Sequence, residues 1–156
     1  MRVIALNPMI LTLMLALFAF TGAAEAASKA KIDRKVNNAL ADFREDIGGA
    51  DAVLSKAVGV LVFPSIVKAG IGIGGESGNG ALRIGGKSVA YYNTSAASIG
   101  FQLGAQARRQ IIVFLDQKAL DKFRASDGWE IGVDASVAVI TLGAGGAVDT
   151  TTLDQP

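Results

Sequence analysis

The stretch from Val58 to Glu76 constrains this chain most, because it places a buried type of strand and a glycine-striped strand side by side. Val60, Leu61, Val62 and Phe63 form a continuous apolar run rich in β-branched residues, which suits a strand covered on both faces, and Pro64 is expected to close it. After Ser65 to Lys68, a second strand is expected, in which Ile71 and Ile73 alternate with Gly70, Gly72 and Gly74. One face then carries bulk and the other almost no side chain. Each glycine in a strand costs roughly 0.5–1 kcal/mol against alanine, so several in register imply close approach of something to that face.

The remaining chain supplies partners for this segment. Residues 1–26 read as an export signal: Arg2 gives a positive start, Met9 to Phe20 is apolar apart from Thr12, and Ala24-Glu25-Ala26 is a small-x-small cleavage site. The apolar run is shorter than the about 20 residues that span a bilayer. The expected product is a periplasmic or secreted protein cut near Ala26. Its residues 27–156 are enough for one domain. The chain has no cysteine, so no disulfide stabilises that domain and it folds by its core.

Ile32, Val36, Leu40, Phe43 and Ile47 recur at helical spacing, and Gly48-Gly49 ends the pattern. Lys29, Lys31, Arg34 and Lys35 crowd the start of this helix, and Asp42, Glu45 and Asp46 its end, opposite to the preference of the helix dipole. A short helix is expected over Ala50 to Ala57. From Gly70 to Leu115 the pattern predicts several short antiparallel strands, with hairpin turns at Ser77-Gly78-Asn79-Gly80 and at Gly85-Gly86-Lys87. Ile99, Phe101 and Leu103 alternate with Gly100, Gln102 and Gly104, a second bare face that matches the first. The matching faces admit three uses: a helix laid flat, strong sheet coiling, or a shallow slot for an acyl chain.

Ile111 to Leu115 reads as a strand buried on both faces, Gln117 to Ala125 as a helix, and Trp129 to Val139 as an alternating half-buried strand followed by a loop at Gly143 to Gly146. Tyr91 and Tyr92, adjacent in a strand, are expected to face opposite ways, one buried and one exposed. The fold class is therefore α+β, an N-terminal amphipathic helix packed on a strongly twisted, mainly antiparallel sheet whose coiling makes it partly barrel-like.

Phe63-Pro64-Ser65-Ile66-Val67-Lys68-Ala69-Gly70, Gly74-Gly75-Glu76, Gly80-Ala81-Leu82, Tyr91-Tyr92, Gly100-Phe101-Gln102-Leu103-Gly104 and Ser126-Asp127-Gly128-Trp129 follow one another in an order that resembles the SYLF domain family. That resemblance implies a phospholipid-binding module, since eukaryotic members bind phosphoinositide membranes and yeast members also bind actin, whereas bacterial members are mostly exported. It also implies that the domain continues with a further apolar strand, so residues 27–156 are expected to be a single SYLF-like domain truncated at its C-terminus, with an open sheet edge.

Catalytic readings fail on residue types and context. With neither histidine nor cysteine, imidazole bases, thiol nucleophiles and soft-metal sites are excluded. Gly70-x-Gly72-x-x-Gly75 matches a dinucleotide fingerprint as a string, but a hairpin rather than a helix is expected after it. Ser65-x-x-Lys68 lacks the Lys-Thr-Gly partner of serine-lysine enzymes. Asp127, Glu130 and Asp134 lack the spacing of a calcium loop and read as turn and surface residues.

No enzyme, metal or cofactor is expected. A formal net charge of +1 argues against nucleic acid, so any electrostatic site is local. The expected partner is an anionic phospholipid membrane, with Lys29, Lys31, Arg34, Lys35, Lys68, Arg83, Lys87, Arg108 and Arg109 as candidate contacts. The alternative is a protein-interaction or structural module in which the same charges and the glycine faces meet a protein partner.

Overall fold

The computed structural model describes residues 28–126, 137–143 and 148–152. The chain divides into two units between Lys31 and Ile32. Of the first, the described residues are helical residues 28–31. The export signal and the Asp127 to Asp134 carboxylates lie outside the described residues.

In the second unit, helix α1 occupies residues 32–46, and its periodic residues do what their spacing predicts. Val36, Ala39 and Phe43 are buried, with Ile32, Leu40 and Ile47 packed around them. Burying a side chain of this kind contributes about 1.5–3 kcal/mol, which docks the helix despite its charge order. Gly49, at φ 87°, redirects the chain into α2, Ala50–Ser55. Two long strands follow, β1 (Gly59–Ile84) and β2 (Lys87–Phe114), then α3 (Gln117–Ala125), β3 (Val137–Gly143) and β4 (Val148–Thr152). The four strands form one antiparallel sheet in the order β1-β2-β3-β4. It does not close into a barrel, so the α+β expectation holds without the barrel-like element.

Two expected breaks are absent and one is present. Pro64 does not end a strand: Phe63 pairs with Gln110 and Ile66 with Arg108, so Pro64 and Ser65 bulge opposite Arg109. A bulge is where a residue without an N–H is tolerated in a ladder. Ser77 to Gly80 do not turn either, but pair with Ser95 to Tyr92 inside the ladder. The turn is Gly85-Gly86, with φ 57° and 78°, the two positive values that a two-residue hairpin needs.

The several short strands expected are instead one long hairpin doubled over on itself. The two glycine-rich stretches lie opposite each other, Gly70 pairing with Gly104 and Gly72 with Gly100, and the register shifts between these pairs. A Cβ on Gly70 would strike the α-carbon of Gly74 and come within 2.6 Å of the Ile73 carbonyl oxygen. Further along, a Cβ on Gly78 would lie 2.7 Å from the Ser65 oxygen and 2.9 Å from Ile66 Cγ1. One on Gly80 would strike the Val62 carbonyl and approach Phe63 Cδ1 at 2.6 Å. The second half of β1 thus lies against its first half, and the glycines admit this contact. Of the three uses expected for the bare faces, sheet coiling is the one these contacts support; the side chains of Ile99, Phe101 and Leu103 lie outside the description.

Both halves contribute to both faces of the sheet. Val60, Val62, Ala81, Ile111, Val113 and Ile140 pack under α1 and α2, while Leu61, Phe63, Leu82, Ile112, Phe114 and Val139 pack under α3 with Leu120 and Phe123. The two covered faces correct the tyrosine expectation. Tyr91 packs on the α1 side and Tyr92 on the α3 side, with its ring centroid 4.9 Å from that of Phe123, so each is half-buried and neither is exposed.

The self-contact predicts an asymmetry among glycines. Gly80→Ala should lower stability by about 1–3 kcal/mol through overpacking against Val62 and Phe63. Gly48→Ala, where a Cβ meets nothing within 4 Å, should change it by about 0.5 kcal/mol or less. Urea midpoints of the two variants measure the difference.

Candidate functional site

The nine basic candidates divide by what the fold does with them. Arg109 donates to Asp42 of α1 at 2.8 Å, and the neighbouring Arg108 donates to Glu76 at 2.7 Å. Glu76 belongs to the second half of β1, whereas Arg108 pairs with its first half at Ile66, so this ion pair spans the doubled hairpin. Arg83 donates from Nη1 to the Gly86 carbonyl oxygen at 2.8 Å and from Nη2 to Asn37 Oδ1. These three arginines connect α1 and the two halves of the hairpin.

The other candidates are differently placed. Arg34 is exposed on α1 opposite its buried residues and Lys35 is exposed on the helix flank, and neither has a hydrogen bond or ion pair among the described residues. Lys87 is exposed beside the Gly85-Gly86 turn, and Lys68 is half-buried in β1 opposite Gln106. Lys29 and Lys31 are exposed within the first unit, Lys29 with an interaction of its own. Among the described residues of the second unit, Arg34 and Lys35 are the candidates adjacent in sequence that have no hydrogen bond or ion pair.

A polar cluster that sequence reasoning missed fastens α1 to the start of β2. Ser88 Oγ donates to Asp33 Oδ1 at 2.6 Å and Tyr91 OH to Asp33 Oδ2 at 2.9 Å. The Ser88 hydrogen bond, then the Tyr91 bond and the charge of Arg83, hold the Asp33 carboxyl below its ordinary value, against the opposing effect of burial. Its partners are 55 and 58 residues away in sequence, with no local pattern to announce them.

The motifs that invited catalytic readings lie in uninterrupted strand. Gly70 to Gly75 continue along β1 to Ile84 with no helix after them, so the geometry that meets a pyrophosphate is not built there. Ser65 lies in the bulge, and Lys68 pairs with Gln106 further along the same strand. Among the described residues no group of three acidic side chains is placed to hold a metal ion, and no helix is long and apolar enough to cross a membrane.

An α+β module fastened by ion pairs and hydrogen bonds between a helix and a doubled hairpin is the class that these features define. Residues 95–155, well under half of the chain, match the Ysc84 family, described as Las17-binding protein actin regulator. Over that segment the chain is similar to the Ysc84 (SYLF) family, in line with the resemblance its ordered motifs carry. The match begins within β2; the Phe63 to Gly70 and Tyr91-Tyr92 motifs lie before it. No curated protein matches the chain.

The Asp33 cluster carries a pH signature. A carboxyl lowered in the folded state contributes stability that is fully present above the unfolded value, about pH 4, and is lost as pH falls through the folded value. Between about pH 5 and pH 3 the urea midpoint of the parent should therefore fall further than that of Asp33→Asn. Equal slopes would mean that Asp33 titrates alike in both states.

Proposed function

We propose that this chain is a non-catalytic module that binds the surface of anionic phospholipid membranes in the cell envelope, with Arg34 and Lys35 as its contacts in the second unit. One observation carries this reading: the buried face of α1 fixes the helix, while Arg34 on its opposite side and Lys35 on its flank are exposed and have no hydrogen bond or ion pair among the described residues. Cations presented in this way are drawn to anionic headgroups. The Ysc84 match supports a binding role rather than an enzymatic one. Lys68 and Lys87 are secondary contacts, and the apolar start of the sequence with Ala24-Glu25-Ala26 supports a periplasmic or secreted location.

The matched family's description as Las17-binding and actin-regulating supports a second reading, a module for a protein partner. The two separate in a vesicle sedimentation assay. Each lysine or arginine near an anionic surface is worth about 1 kcal/mol, so Arg34→Gln with Lys35→Gln should weaken binding by about 2 kcal/mol, roughly 30-fold. The loss should appear only with anionic vesicles and shrink as salt is raised. Unchanged binding removes this pair from the site. A parent that ignores anionic vesicles at low salt leaves the protein-partner reading.

A further inference from the structure

A cleft of about 450 Å³ opens between α1, α2, the start of β1 and the Gly85-Gly86 turn. Its size falls toward the lower end for small-molecule sites, which suits one narrow ligand rather than a two-chain lipid. Leu40, Leu54, Val58 and Val60 supply its apolar lining, and the two charged residues that line it are both arginines, Arg44 and Arg83. No carboxylate is among the lining residues, and Asp51, which pairs with Arg44 at 3.1 Å, stands outside them.

Both guanidinium groups keep donors in reserve. Arg83 uses Nη1 for the Gly86 oxygen and Nη2 for Asn37, and its Nε is buried without a hydrogen bond. Arg44 uses Nε for Asp51 and Nη1 for the Leu40 oxygen. A guanidinium has five N–H groups, so each arginine retains N–H groups beyond those two bonds. Held by Asn37 and by the turn, Arg83 is also restrained in advance, which lowers the entropic cost of engaging an anion.

We infer that this cleft binds a single-chain anionic amphiphile, its oxygen-bearing head between Arg44 and Arg83 and its alkyl chain along Leu40, Leu54, Val58 and Val60. The site goes beyond the membrane reading and is independent of it: Arg34 and Lys35 are not among its lining residues. A carboxylate and a phosphate monoester present the same terminal anionic oxygens, and both suit paired guanidinium groups.

Isothermal titration calorimetry on the chain, with each amphiphile kept monomeric, tests the assignment. Dodecanoate and dodecyl phosphate should bind, and the tighter of the two identifies the head group. Dodecanol should bind about tenfold or more weakly, and inorganic phosphate alone should give no measurable heat, because each lacks one half of the recognition. Arg44→Gln, at a half-exposed position, should weaken dodecanoate about tenfold with an unchanged urea midpoint. Ala57→Leu, which adds bulk at the lining, should weaken both anionic ligands.

Arg34→Gln with Lys35→Gln should leave all these affinities unchanged, which keeps the outcome separate from that of the vesicle assay. The inference is overturned if the parent binds neither anionic amphiphile, if dodecanol binds as tightly as dodecanoate, or if Arg44→Gln and Ala57→Leu both bind as the parent does.

Discussion

The contact of β1 with itself is the constraint on which the rest of this structure depends. Backbone can approach backbone this closely only where no Cβ intervenes, and Gly78 and Gly80 face Ser65, Val62 and Phe63 at distances that a methyl group would not survive. Doubling then places Val62 beside Ala81 and Phe63 beside Leu82 in the two core clusters, and sets Glu76 next to Arg108. Opened out, the hairpin would separate these groups. Packing on both faces follows from the doubling, and it leaves α1 and α3 a broad apolar surface each to cover.

The charges follow the same division between fold and surface. Arg83, Arg108 and Arg109 join elements distant in sequence, and each keeps a buried Nε that makes no hydrogen bond, so their apolar surroundings are as much a part of their placement as their partners. Exposed pairs contribute about 0–1 kcal/mol, and the value of these lies more in register than in stability. Arg34 and Lys35 have no such partner among the described residues, and a helix that carries its positive charge at the wrong end for its own dipole is more readily understood if that charge serves another surface.

Much of the fold was legible because burial writes itself as periodicity. The helical spacing of Val36 and Phe43, the apolar run at Val60 to Phe63, the run from Ile111 as far as Phe114, and the pair Leu120 and Phe123 marked buried positions, whereas Leu115, expected to be buried with its run, is exposed just past the end of β2. Turn chemistry was less faithful. Asn79-Gly80 and Gly85-Gly86 carry similar local signals, and only tertiary contact decides that the first pair accommodates a neighbouring strand while the second turns the chain. Pro64 misled for the same reason, since a bulge and a strand end both tolerate a missing N–H. The candidate sites were least legible. Sequence identified positive residues but not which of them would be spent internally, because Asn37, Asp42 and Glu76 meet their arginines across 46, 67 and 32 residues of chain, with no local pattern to pair them. Arg44 and the cleft left no local signature, being assembled from α1, α2 and a turn far along the chain.

The doubled hairpin is open to direct measurement, since the chain has no cysteine and two introduced ones would be its sole labelling sites. Val67 and Ser77 are both exposed and lie on the two halves of β1, so spin labels there should leave the packing intact. Ten residues of extended strand span roughly 33 Å. Pulsed electron-electron resonance on Val67→Cys with Ser77→Cys should give a separation below about half of that span, as the contacts of Gly78 and Gly80 require. A distribution centred near the extended value would contradict the doubling, and with it the packing and the placement of Arg108 that rest on it.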